Sequence, residues 1–291
     1  MRPEFDYDVA FSRNIGWVTE AEQRSLRDKR IAIAGMGGVG GIHLLTLARL
    51  GIGGFSIADF DRFDLANFNR QAGATMSSLG RPKVEVLAEM ASDINPALDL
   101  RVFEAGVDEA NLAEFLRGVD LYVDGLDFFA FAARRATFAT CRRLGVPAIT
   151  AAPLGMGVAF LAFLPDSISF EDYFCLDGCD EDEMALRFLL GLAPAMLHRS
   201  YLVDPTQVDL AQQRGPSTVA ACQLCAGVAA TEALKILLGR RGLTVAPRGY
   251  QVDAYRNRLV RTWRPWGNRN PIQRIGLAIA ERQLARMAKG G

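Results

Sequence analysis

Residues 35–41 read GMGGVGG, directly after the apolar run RIAIA (30–34) and before GIHLLTLARL (41–50). A glycine-dense turn between a buried strand and a helix admits few folds. Without a Cβ the backbone can turn sharply and bring its N–H groups against a phosphate. The helix that starts there adds unpaired N–H groups and the positive end of its dipole. Gly35, Gly37 and Gly40 fit G-x-G-x-x-G, with Gly38 inside it. GFSIA (54–58) is the next strand, closing a strand–turn–helix–strand unit of about 30 residues. Asp59 ends that strand, 19 residues after Gly40, where a carboxylate suits two ribose hydroxyls. A nicotinamide or flavin dehydrogenase would show the same pair.

The alternation continues. Thr19, with Glu22 three residues on, caps a helix over 18–29. Helices are expected over 82–92, 109–117 and 129–144, and strands over 98–103, 119–123, 146–150 and 157–164. This order predicts an α/β fold: a doubly wound, Rossmann-like, mostly parallel sheet with helices on both faces. After Pro165 the texture changes. The acidic run 177–183 reads as a solvated turn, 185–197 as apolar, and 218–238 as a long buried helix stopped by Gly239. Short strands follow around 249–254 and 258–263. The tail, 271–288, patterns as an amphipathic helix. Ile272, Ile275, Ile279 and Met287 lie on it among Arg274, Arg282, Arg286 and Lys289.

Composition removes other classes. The 33 basic and 33 acidic residues balance, which argues against a DNA or RNA partner held by bulk charge. No uninterrupted apolar run reaches ~18 residues, so no transmembrane segment is expected. The opening MRPEFDYDVAFSRN lacks the apolar stretch of a secretory signal, and five cysteines make no disulfide framework; a cytoplasmic protein is expected. Two histidines, His43 and His198, exclude a three-histidine metal site.

A second group of residues follows Asp59: Asp61, Asn67, Arg70, Gln71 and Lys83. A helix dipole handles a diphosphate, whereas a triphosphate wants further cations and a metal ion. Taken singly, Arg70 and Lys83 could be solvated surface charges. VDGLD (123–127) ends a buried strand with Asp124 and Asp127. Two carboxylates there suit Mg²⁺, which takes one or two carboxylates plus phosphate oxygens. Asp127 could equally cap the following helix.

Together these motifs resemble the ThiF/MoeB family, bacterial relatives of ubiquitin-activating enzymes, from about Phe11 to Gly239. The family's pattern stands here as Gly35 to Gly40, Asp59 and Asp61, Asn67 with Arg70 and Gln71, Pro82 and Lys83, Ile94 to Pro96, and Asp124 with Asp127. The resemblance implies ATP-dependent adenylation of a carboxylate with release of pyrophosphate. It implies that the glycine turn cradles ATP, Asp59 binds ribose, Asn67, Arg70 and Lys83 meet the phosphates, and Asp127 holds Mg²⁺. It also implies a homodimer in which Arg13 reaches the neighbouring subunit's ATP. The implied substrate is the C-terminal carboxylate of a ubiquitin-like protein, a sulfur carrier or a peptide. A tRNA threonylcarbamoyladenosine dehydratase-like enzyme and a catalytically inactive scaffold are the alternatives within the same fold. The implied layout is an N-terminal arm (1–29), an ATP-binding half (30–165), a crossover and substrate loop (166–217), and a C-terminal part of the same adenylation domain (218–291).

The chain departs from the family at its cysteines. Where many members have two C-x-x-C pairs for zinc, Cys175 has Asp172 as its partner position, and no cysteine follows Cys225. A zinc site made of Cys175, Cys179, Cys222 and Cys225 is therefore not expected. Some relatives pass the acyl group to a loop cysteine; the candidates here are Cys179 and Cys175, whose acidic neighbours argue against an activated thiolate.

Overall fold

The protein is seen in a computed structural model that describes residues 4–208, 212 and 215–290, with side chains through Arg282. Arg286, Met287 and Lys289, named above, therefore have side chains outside the described residues. Among the described residues eight strands lie in one sheet: β1 (Arg30–Ala34), β2 (Gly54–Ala58), β3 (Asp99–Phe103), β4 (Leu121–Asp124), β5 (Ala148–Leu154), β6 (Gly157–Phe163), β7 (Arg248–Asp253) and β8 (Arg258–Trp263). The described helices are α1 (Tyr7–Ala10), α2 (Glu20–Arg27), α3 (Gly40–Arg49), α4 (Lys83–Ile94), α5 (Leu112–Phe115), α6 (Phe131–Leu144), α7 (Phe170–Phe174), α8 (Glu181–Leu192), α9 (Val219–Leu237) and α10 (Pro271–Gly290).

The strand order is β3-β2-β1-β4-β5-β6-β7-β8. β3, β2, β1, β4 and β5 run parallel, each joined by a helical crossover. β5 and β6 are joined only by Gly155 and Met156, a connection that can make nothing but an antiparallel pair, and β7 and β8 continue that sense. The expected mostly parallel α/β sheet is thus observed, with an antiparallel margin.

Alternation along the strands divides the core. Ile31 and Ile33 of β1 enter a cluster with Leu44 and Leu47 of α3, Val84 and Leu87 of α4, and Cys225 and Ala229 of α9. Ala32 and Ala34 enter the opposite cluster with Phe115 of α5, Phe138 of α6, Phe174 of α7 and Phe188 of α8. Both faces are covered, which is why β1 reads as an unbroken apolar run.

Some elements differ from expectation. The acidic run is only partly a turn: Asp180 caps α8, its side chain accepting from Glu183 N at 2.8 Å, and three acidic residues fill the first turn. Acidic residues there complement the helix dipole. By length and composition α9 is apolar enough to cross a membrane, which a count of uninterrupted apolar residues overlooks. In the fold it buries Ala221, Cys222, Cys225, Ala229 and Ala233 against the sheet and α3. On α10, Leu277 packs with Leu186 and Leu190 of α8, and Gln273 Nε2 donates to Leu190 O at 2.6 Å. Ile272, Ile275 and Ile279 face outward.

Candidate active site

From β1 the chain winds out to β2 and β3, then returns to place β4 on the other side of β1. The carboxyl ends of β1 and β4 therefore flank the crevice where open α/β sheets bind ligands. Gly35 follows β1 with φ of 85°. A side chain there would stand 2.2 Å from Gly125 O, and one on Gly40 would stand 1.7 Å from Gly35 O. These glycines are needed for the chain's own packing. Gly37 differs: a Cβ there would meet only Gln71 Nε2, at 3.8 Å. At Gly38 it would meet Cys222 Sγ at 3.2 Å and the Arg70 side chain at 3.6 Å. Gly37 leaves a cradle open that the protein does not itself fill.

Asp59 at the end of β2 bridges to this turn. One carboxylate oxygen accepts from Met36 N at 2.5 Å and the other from Asp61 N at 2.7 Å. Burial raises its pKa, opposed by those backbone N–H groups and by Lys83. Lys83 opens α4 and is itself buried; its Nζ reaches Asp61 Oδ2 at 2.9 Å. Arg70 is half-buried beside Gly38, its guanidinium donating to Ala66 O and Asn69 Oδ1, both at 2.9 Å. Asn67 Oδ1 accepts from Asp64 N at 3.0 Å. Gln71 is buried with its Oε1 lacking a partner, beside the open cradle. Gly35, Gly37, Gly38, Gly40, Asp59, Arg70 and Gln71 are thus drawn around one turn, with Asp61 and Lys83 linked to it through Asp59.

The two carboxylates of VDGLD part company. Asp127 is exposed after β4, with Oδ1 accepting from Phe129 N at 3.1 Å. It does not cap α6, whose cap residue is Ala130. Asp124 is buried and faces inward, its Oδ2 held by Arg134 Nε at 2.8 Å and its Oδ1 approached by Tyr122 Oη at 3.3 Å. Its carboxylate is paired with a cation inside the fold, whereas that of Asp127 is turned to the outside. Arg13 is exposed on the turn Ser12–Asn14, near the exposed side chains of Val9, Ile15 and Trp17.

The two cysteine pairs lie in separate elements. Cys175 ends α7 in a left-handed conformation, and Cys179 Sγ donates to its carbonyl at 3.5 Å. Burial holds the Cys179 thiol above its ordinary range, against the pull of Arg187. Cys222 and Cys225 are buried in α9. Burial also raises the Cys222 pKa, opposed by Ser217 and Arg70.

Three neighbours escape a reading of the chain. Gly125 closes on Gly35, a role its place at a strand end could have suggested. Cys222 abuts the glycine turn, although its apolar surroundings mark it only as core. Arg134 looks like any charged helix residue.

A family model described as the ThiF family matches residues 11–274. Molybdopterin-synthase adenylyltransferase of Escherichia coli (strain K12) is 34% identical over 134 residues, covering 46% of this chain and 53% of that protein. tRNA threonylcarbamoyladenosine dehydratase of Bacillus subtilis (strain 168) is 32% identical over 122 residues, covering 42% of this chain and 48% of that protein. The chain spans about half the length of these curated relatives. The solved structure of E. coli MccB with ATP superposes with a TM-score of 0.65 at 18% identity, over 90% of this chain and 71% of that one. At that identity the likeness is one of fold.

Proposed function

This chain belongs to the ThiF family, and on that footing we propose that it is an ATP-dependent adenylyltransferase acting on the C-terminal carboxylate of a ubiquitin-like, sulfur-carrier or peptide substrate. The observation that carries this is the open cradle at Gly37, where a Cβ would meet only Gln71 Nε2, with Arg70 packed at the adjacent Gly38 and the Gln71 Oε1 left without a partner. A turn that spares its own side chains, at a helix N-terminus and beside a cation, fits a nucleotide's phosphates. The activities for which its relatives are named support adenylyl transfer to a protein, and the solved MccB structure holds ATP within the same fold.

The chemistry asks little covalent work of the protein. A carboxylate oxygen attacks the α-phosphorus, the bond to the bridging oxygen breaks, and pyrophosphate leaves with the electron pair. The products are an acyl-adenylate and pyrophosphate. Catalysis is then positioning and charge neutralisation. The glycine turn and α3 orient the phosphates, Asp59 addresses the ribose, and Asn67, Arg70, Gln71 and Lys83 meet the triphosphate. Lys83 is poised by its pair with Asp61. Asp127 fits Mg²⁺ as a lone exposed carboxylate, since Mg²⁺ is commonly held by one carboxylate together with phosphate oxygens. When bound, Mg²⁺ supplies charge neutralisation of the departing pyrophosphate.

In this reading 1–29 is an arm, 30–165 the ATP half, 166–217 the substrate crossover and 218–291 the remainder of one adenylation domain. The arm carries Arg13 toward a second copy in a homodimer, whose contact would cover Val9, Ile15 and Trp17. A transfer to Cys179 or Cys175 after adenylation would follow the family resemblance; burial, which raises the Cys179 pKa, argues against an activated thiolate there.

A second reading, a tRNA threonylcarbamoyladenosine dehydratase-like enzyme, is favoured by the exposed Arg256, Arg258 and Arg261 near the exposed Trp263 on the β7–β8 margin. The test is product analysis with ATP and Mg²⁺. Pyrophosphate and an acyl-adenylate formed with a sulfur-carrier protein support the first reading. Formation only with tRNA selects the second. Binding of NAD in place of ATP contradicts both.

A further inference from the structure

Arg134 of α6 is 2% exposed, seven residues beyond Asp127. Its guanidinium donates to four acceptors on one short segment. Nε reaches Asp124 Oδ2 at 2.8 Å, and Nη1 reaches Phe128 O at 3.0 Å. Nη2 reaches Leu126 O at 2.9 Å and Asp127 O at 2.8 Å. The guanidinium also lies over the Phe188 ring, 4.7 Å from its centroid. Phe188, on α8, is packed among Phe128, Phe131, Phe170 and Phe174.

Burying a guanidinium is costly even when it is paired, and apolar residues of similar volume often serve stability as well. What they cannot do is gather three successive carbonyls onto one planar fork, and neither can lysine, whose donors radiate from a single nitrogen. With the carbonyls of 126–128 drawn inward, the Asp127 carboxylate is left on the outside of the turn, at the carboxyl end of β4.

We propose that Arg134 is a positioning residue: it sets the turn 124–128 so that the Asp127 carboxylate is presented to a divalent cation bound with the nucleotide. The proposal rests on the reading of Asp127 given above. Arg134 touches neither nucleotide nor metal in it and acts only through the turn. The stack on Phe188 ties the same turn to the crossover region.

The test uses Mn²⁺ as the metal probe with an ATP analogue that cannot be cleaved between its α and β phosphates, on the full chain. Free Mn²⁺ is counted by electron paramagnetic resonance. Arg134→Lys keeps a charge opposite Asp124 but cannot span four acceptors. It is expected to fold, to bind the analogue without metal as wild type does, and to weaken Mn²⁺ about tenfold. In the nucleotide-free protein, amide hydrogen exchange should quicken over 125–130 and nowhere else. Asp127→Ala is the reference. If it leaves Mn²⁺ affinity unchanged, Asp127 is no ligand and the proposal falls with the parent reading, as it does if wild type binds no analogue. If Asp127→Ala weakens Mn²⁺ and folded Arg134→Lys does not, positioning alone is overturned. Should Arg134→Lys not fold, Phe188→Leu decides. It removes the ring beneath the guanidinium and keeps all four hydrogen bonds. Weakening of about threefold supports the proposal, and unchanged affinity overturns it.

Discussion

The carbonyl of Gly125 stands 2.2 Å from where a Cβ on Gly35 would be, so the turn after β1 and the turn after β4 close on each other backbone to backbone. Gly125→Ala would place its Cβ 2.6 Å from Gly35 O and 2.8 Å from Gly40 Cα. Overpacking of that kind should cost about 1–3 kcal/mol of stability. At Gly37 the new Cβ would meet only Gln71 Nε2, so Gly37→Ala should unfold like wild type while losing about tenfold or more in ATP affinity. Urea unfolding and calorimetric ATP binding on both variants check the contrast. Equal effects on the two properties would remove the distinction between a packing glycine and a cradle glycine.

Asp127→Ala should abolish chemistry while leaving the fold intact. The side chain is exposed and, among the described residues, accepts a local hydrogen bond from Phe129 N, so little stability depends on it. The check is pyrophosphate exchange beside a melting curve. Exchange near the wild-type rate would show that Asp127 does not serve the reaction.

Arg13 and Asp127 should complement each other across subunits. Each of Arg13→Ala and Asp127→Ala should be nearly inactive alone. In a co-refolded equal mixture half the dimers are mixed, and each holds one site with both residues intact. Activity should return to roughly a quarter of wild type by this symmetry. Mixed dimers without activity would keep Arg13 out of the neighbouring site, and a monomer at assay concentration would remove the idea.

His43 on α3 should make stability depend on pH. Burial with no partner on either ring nitrogen pulls its pKa from 6.5 down to about 4. The folded value is depressed, so the neutral ring's contribution is complete above pH 6.5 and lost as pH falls toward about 4. Over that window the loss is about 3 kcal/mol. Urea unfolding at neutral pH and near pH ~4.5 should show a smaller decline for His43→Leu than for wild type. Parallel declines would mean that His43 has a partner in solution.

Much of the fold was legible because glycines punctuate it. Gly35 after β1 and Gly53 and Gly54 before and within β2 set strand limits that match the apolar runs. Thr19 and Glu22 form the capping box that their spacing implies. Orientation was harder. Asp124 and Asp127 are chemically alike and three residues apart, and only the path of the turn sends one inward to Arg134 and the other outward. Arg134 itself could not be picked out, because a charged residue within a helix ordinarily faces water. The residues Ile272, Ile275 and Ile279 patterned as the apolar side of an amphipathic helix, yet Leu277 and Gln273 make the contact with α8.

The most direct measurement is exchange of labelled pyrophosphate into ATP, with Mg²⁺ and a sulfur-carrier protein bearing either a free or an amidated C-terminus. Exchange is expected only with the free carboxylate and only when Asp127 is intact, because the carboxylate itself attacks the α-phosphorus. Exchange that persists with the amidated carrier, or none with any carrier although ATP binds, would contradict adenylation of a C-terminal carboxylate.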